Sequence, residues 1–89
     1  MTGLQNRKLI KILSHYGKNH QVDKAIEECG ELTQALIKDR ESNARDMVVD
    51  EIADVYVMLA QLEIAYECHG EVTERIDYKI NRQIERMRA

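Results

Sequence analysis

No proline occurs anywhere in this 89-residue chain, and that omission limits the fold more than any residue present. Proline ends helices by removing an amide donor and crowding the preceding turn. Its absence, beside many Glu, Lys, Arg, Leu, Ile and Ala and few clusters of β-branched residues, leaves helix favoured almost everywhere between short breaks. The expected fold class is all-α.

The breaks delimit four predicted helices. The first spans about Leu4 to Tyr16, with Leu9, Ile12, Leu13 and Tyr16 at helical spacing, and Gly17 supplies a C-terminal cap. Gly17 to Asn19 reads as the turn, with Asn19 as N-cap of the second helix. That helix carries Val22, Ala25, Ile26, Cys29, Leu32, Thr33 and Leu36 on one face and runs to about Arg40. Glu41 to Arg45 reads as a loop. The third helix opens near Asn43, with Asp46 placed for a capping arrangement, and continues to His69 before Gly70. Its middle, Ile52 to Leu62, is apolar around most of its circumference, which predicts that several helices surround it. The fourth begins near Glu71 and sets Val72, Ile76, Ile80, Ile84 and Met87 along one stripe, with Arg75, Lys79, Arg82 and Arg86 along another.

No internal repeat, low-complexity tract or linker interrupts this pattern, so residues 1–89 read as a single domain. A domain this small buries only about 60% of the surface its unfolded chain exposes, which leaves a thin stability margin. A four-helix bundle-like subunit completed by homo-oligomerisation, as a dimer or tetramer, is therefore expected. The formal charge of −3 is modest and the basic residues form no single long run, which argues against nucleic acid as a partner. No apolar run approaches the roughly 18 residues of a membrane span, and the N-terminus lacks an apolar secretory core. A soluble, cytoplasmic protein is expected. Cys29 and Cys68 lack the paired spacing of a zinc site and read as buried thiols, while His15, His20 and His69 are scattered over helix ends.

The chemistry concentrates in acidic pairs. At 100° per residue, Gln21, Lys24, Glu28 and Glu31 fall within an arc of roughly 80° on the second helix, at the shoulder of its apolar face. Glu51 and Asp54 repeat the spacing on the third helix, beside Ile52, Val55 and Met58. One such pair alone is ordinarily the solvated flank of an amphipathic helix. Four carboxylates converging at the edge of a core repel one another unless a multivalent cation or protonation relieves them. All-oxygen ligation suits magnesium or manganese, and with them phosphate chemistry. Gly30, inside the second helix, costs up to about 1 kcal/mol relative to alanine, which predicts a close approach of the third helix there.

Glu27-Glu28-Cys29-Gly30-Glu31-Leu32 and Glu51-Ile52-Ala53-Asp54, with nineteen residues between Glu31 and Glu51, together resemble the EExxE and ExxD signature of the MazG-like nucleotide pyrophosphohydrolases. This is the all-α NTP pyrophosphatase superfamily. His20-Gln21-x-x-Lys24 ahead of the first motif extends the likeness over roughly residues 20 to 86. The resemblance implies a four-helix assembly completed by dimerisation or tetramerisation, with Mg²⁺ or Mn²⁺ held by Glu28, Glu31, Glu51 and Asp54. It implies cleavage of a (deoxy)nucleoside triphosphate between the α and β phosphates, giving monophosphate and pyrophosphate, as a nucleotide-pool housecleaning activity. Glu27 or Glu28 would then orient or deprotonate the attacking water. Lys24, Lys79 and Arg82 would hold the phosphates, with Gln21 and Arg86 as further contacts. Lys79-x-x-Arg82 matches the basic pattern of the family's last helix, whereas Gln83 stands where the family often has Asn.

Base recognition is poorly marked, because the chain has no Trp or Phe and its four tyrosines, Tyr16, Tyr56, Tyr66 and Tyr78, read mostly as core. Two other classes of function stay open. One is a non-catalytic helical dimerisation or regulatory module of the same fold, against which the full carboxylate set speaks. The other is a nucleic-acid-binding helical dimer using Arg75, Lys79, Arg82 and Arg86, against which the net acidity and the lack of stacking aromatics speak.

Overall fold

A computed structural model describes residues 1–88 and folds them into α1 (Gly3–Tyr16), α2 (Lys18–Glu41), α3 (Arg45–Ala65) and α4 (His69–Arg88), with no strand among the described residues. The all-α class follows directly. No helix among the described residues is long and apolar enough to cross a membrane.

Local signals set the ends of the helices. Thr2 Oγ1 accepts from the Gln5 amide (3.1 Å) while Gln5 Oε1 accepts from the Thr2 amide (2.8 Å), a reciprocal cap that starts α1. Gly17 alone separates α1 from α2, at φ 87° and ψ 159°, a backbone that favours glycine. Its amide closes on Leu13 O (2.8 Å) and its carbonyl accepts from the Gln21 amide (3.1 Å). Asn19 is consequently inside α2 and caps nothing, in contrast to its expected place in a three-residue turn. At the other end of α2, Asp39 Oδ1 accepts from the Ala44 amide (2.9 Å) and steadies the short connection to α3. The N-cap of α3 is Ala44, and neither Asn43 nor Asp46 caps it through a side chain.

The junction of α3 and α4 lies earlier than Gly70 predicts. Glu67 takes φ 51°, its amide bonds to Ile64 O (3.2 Å), and the Cys68 amide reaches back to Glu63 O (3.0 Å). This paired closure ends a helix on a left-handed residue, a place ordinarily given to glycine. Gly70 and His69 belong to the first turn of α4.

Helices α2 and α3 run antiparallel over a short connection and form the main packing interface. The register is read from facing pairs: Gln21 meets Gln61 at one end, and Glu28 meets Asp54 at the other. Moving seven residues along α2 from Gln21 to Glu28 matches moving seven back along α3 from Gln61 to Asp54. The buried residues of α2 are Gln21, Ala25, Glu28 and Ala35. On a helical wheel they centre roughly 80° away from the middle of its apolar face. The face turned to the core is thus the polar stripe, and Ile26 (68% exposed), Cys29 and Leu36 stay outside.

The buried hydrophobic set among the described residues is small: Leu9, Ala25, Ala35 and Met58. Helix α3 touches each of the other helices, yet Ile52, Tyr56, Val57 and Leu59 remain exposed, so the subunit does not surround it as its composition predicts. Helix α4 packs on α3 alone and buries no residue, leaving Ile76, Ile80, Ile84 and Met87 exposed. The radius of gyration is 15.6 Å, against about 12 Å for a compact domain of this length. The accessible surface is 7177 Å², against roughly 5,400 Å² for a folded monomer of this mass.

Two further expectations are corrected. Cys29 is exposed and Cys68 half-buried, so neither is a core thiol. All four tyrosines are exposed, so none is a core residue.

Candidate functional site

The antiparallel register of α2 and α3 brings the acidic residues together at the centre of their interface. Glu28 (7% exposed) lies where two groups of carboxylates intersect. Glu27, Glu28 and Glu31 each place an oxygen within 4.8 Å of the others, and so do Glu28, Glu51 and Asp54. All four residues expected to ligate a metal therefore converge, with Glu28 as their common member and Glu27 adjoining. The rotation of α2 explains why: its polar stripe, and not the apolar face, is turned toward α3.

Electrostatics there is strained. Glu28 Oε2 and Glu51 Oε2 are buried and accept no hydrogen bond, a condition that disfavours an unaccompanied carboxylate. The charge of Glu28, followed by burial, holds the Glu31 carboxyl above its ordinary value. Burial, then the charges of Glu31, Glu28 and Asp54, raises Glu51. Burial, then Glu28 and Asp50, raises Asp54. Asp50, one residue ahead of the second acidic pair, is a contributor that the spacing of the motif did not single out.

Among the described residues one cation answers this charge. Lys24 Nζ donates to Glu27 Oε1 (3.4 Å) and lies 3.4 Å from Glu28 Oε1. Hydrogen bonds to Glu27 and then Glu28 raise the Lys24 ammonium above its ordinary value, so it stays charged. A single ammonium leaves the excess of carboxylates uncompensated. The donor set is carboxylate oxygen throughout, with no thiolate or imidazole, which fits a hard divalent cation such as Mg²⁺ or Mn²⁺. The two orphaned oxygens are the atoms such a cation would satisfy.

The other expected contacts are placed differently. Gln21 is buried (4% exposed), with its Nε2 donating to Gln61 Oε1 at 2.7 Å. Its amide is committed to the helix interface. Lys79, Arg82 and Arg86 sit on α4, which does not pack against α2. Among the described residues no ion pair joins them to the acidic cluster, and Arg82 instead lies over the Tyr78 ring at 5.9 Å. Gly30 is not crowded: a Cβ there would meet nothing within 4 Å, so the close helix approach expected of it is absent and nothing in the subunit explains it.

The most buried large side chain, Gln61 (1% exposed), escaped the sequence reading. Its signal was a lone neutral polar residue in the apolar run Ile52 to Leu62, seven residues past Asp54 and hence on the same face. Compared with known proteins, the chain matches no family model, no curated protein and no solved structure.

Proposed function

We propose that this chain is a divalent-metal-dependent nucleoside triphosphate pyrophosphohydrolase of the MazG-like kind, cleaving between the α and β phosphates to release monophosphate and pyrophosphate. The observation that carries the reading is the junction at Glu28, where two carboxylate groups meet and two buried oxygens go without a hydrogen bond. Phosphate chemistry is what a hard cation on four carboxylates most readily serves. The sequence motifs Glu27-Glu28-x-x-Glu31 and Glu51-x-x-Asp54 support the same reading.

In this account Glu28, Glu31, Glu51 and Asp54 hold Mg²⁺ or Mn²⁺. Such an ion, when bound, neutralises charge on the phosphates and makes a nearby water more acidic. Lys24 pairs with Glu27 and Glu28 and keeps one positive charge at the edge of the cluster. Glu27 is exposed and paired through Oε1 only, so Oε2 is the acceptor available to a water proton.

The proposal includes a homo-oligomer. The surface in excess of a compact monomer is roughly 1,800 Å² per chain, within the range an obligate interface removes. Apolar faces on α2, α3 and α4 are exposed to supply it. Lys79 and Arg82 would then reach phosphates from a second copy, since α4 does not meet α2 in one subunit. The competing reading, a non-catalytic dimerisation module, explains those apolar faces equally well but gives no reason for orphaned carboxylates at the interface centre.

Product analysis tests the proposal. Nucleoside triphosphates incubated with the protein and Mg²⁺ are followed by phosphorus NMR in ¹⁸O-water. The expected products are pyrophosphate and a monophosphate, one of the two carrying the ¹⁸O label. Diphosphate plus inorganic phosphate, or no turnover of any nucleotide, would overturn it.

A further inference from the structure

The acidic cluster accounts for the middle of the α2–α3 interface but not for the cleft beside it, which opens between the end of α1, the start of α2 and the middle of α3. Tyr16 and His20 stand at one side of this cleft, Gln21 and Gln61 line it from within, and Lys24 and Glu27 form the side that adjoins the carboxylates. The one-residue break at Gly17 sets Tyr16 and His20 face to face, with ring centroids 4.8 Å apart and planes 15° from parallel. The His15 ring stands at right angles to Tyr16, centroids 4.7 Å apart, and Tyr16 is still 53% exposed, so its ring is accessible at the mouth of the cleft.

A buried relay fixes which hydrogen-bonding group His20 presents. The carbonyl of Val57 only accepts, and Gln61 Nε2 lies 3.4 Å from it. That orientation turns Gln61 Oε1 toward Gln21, whose Nε2 donates at 2.7 Å. Gln21 Oε1 is left to face His20 Nδ1 at 2.7 Å, so Nδ1 carries the hydrogen. In the neutral ring Nε2 is then a bare acceptor.

We propose that this cleft is a nucleobase subsite: the base stacks on the Tyr16 ring beside His20, and an imino or amino N–H on its polar edge donates to His20 Nε2. The assignment rests on the nucleotide reading of the carboxylate cluster, which it extends from phosphates to base. Glu27 is one of the clustered carboxylates and Lys24 is paired with Glu28, and both also line the cleft, so a nucleotide with its phosphates at the cluster has its base directed into the cleft. An aromatic face tolerates any base, and the acceptor admits any base edge bearing an N–H. Gln21 and Gln61 are positioning residues for His20.

The test uses the full chain and needs no turnover. Nucleoside 5′-monophosphates, and ribose 5-phosphate as the base-free probe, are titrated while the Tyr16 and His20 ring resonances are followed by NMR. Nucleotides are expected to move both rings and the His20 Nε2 signal, and ribose 5-phosphate to leave them in place. Tyr16→Leu is expected to weaken nucleotide binding about tenfold while Mn²⁺ affinity at the carboxylates stays unchanged. Equal binding of ribose 5-phosphate, no shift from any nucleotide, or unaltered affinity in both Tyr16→Leu and His20→Ala would overturn the subsite. Pyrophosphate release by wild type with these rings silent would sink the subsite and leave the hydrolase. Rings that respond to the base in a protein that releases no pyrophosphate would sink the hydrolase and leave the subsite.

Discussion

Replacing Gln61 by leucine probes the interface on which both the cluster and the cleft depend. Gln61 accepts a 2.7 Å hydrogen bond from Gln21 Nε2, and both side chains are nearly inaccessible to water. Gln61→Leu strands that amide. A buried donor without a partner costs about 1–3 kcal/mol, and the added apolar surface of leucine offsets part of it. The bond lost at Val57 O is long (3.4 Å), and that carbonyl keeps its helical partner, so it contributes little. A net loss of about 1–2 kcal/mol lowers the melting temperature of a domain this size by roughly 5 to 15 °C. Gln21→Leu orphans Gln61 Oε1 in turn and should cost a similar amount. The double variant removes both polar partners, so its loss should be smaller than the sum of the two by about 1–2 kcal/mol. Urea and thermal unfolding followed by circular dichroism, at one protein concentration because association shifts apparent stability, measure all four corners of the cycle. Single losses under about 0.5 kcal/mol, or strictly additive ones, would refute the claim that this pair is a satisfied buried bond.

Other consequences follow from particular residues. Asp54, Glu51 and Glu31 are held above their ordinary values in the folded chain, so the fold binds more protons than the unfolded chain in the carboxylate range. These groups therefore favour folding at acid pH and lose that contribution as pH rises through their raised values. With EDTA present, the melting temperature of Asp54→Asn minus that of wild type should grow between about pH 4 and pH 7, and Mn²⁺ should improve wild type more than the variant; a flat difference would contradict this. Ile80→Glu places a charge on the exposed apolar stripe of α4; sedimentation equilibrium should show weakened self-association with unchanged helicity, and an unaltered mass distribution would remove α4 from the interface. Gly30→Ala should stabilise by about 1 kcal/mol, since a Cβ there is unobstructed; a lower melting temperature would mean that a second copy approaches position 30.

Much of this was legible from spacing. Helix-forming composition without proline gave the all-α class, and the i, i+3 pairs Glu28/Glu31 and Glu51/Asp54 were correctly placed on mutually facing surfaces. What misled was the assumption that the apolar face of α2 is the buried one. Gln21 occupies the interface because its partner Gln61 lies across it on α3, and a helical wheel of α2 carries no information about a pairing between helices. The start of α4 was missed because Glu67 holds the left-handed position that the reading reserved for Gly70. The exposure of the tyrosines and of α4 follows from tertiary packing too sparse to cover them, which composition does not reveal.

The central claim is that Glu28 anchors a cation used to cleave nucleoside triphosphates. Pyrophosphate release from a panel of NTPs and dNTPs, compared in Mg²⁺, Mn²⁺ and EDTA for wild type and Glu28→Gln, tests it most directly. The account predicts metal-dependent release by wild type, abolished by EDTA and lost in a Glu28→Gln variant that remains folded. Release that persists in EDTA, or in folded Glu28→Gln at the wild-type rate, would contradict it.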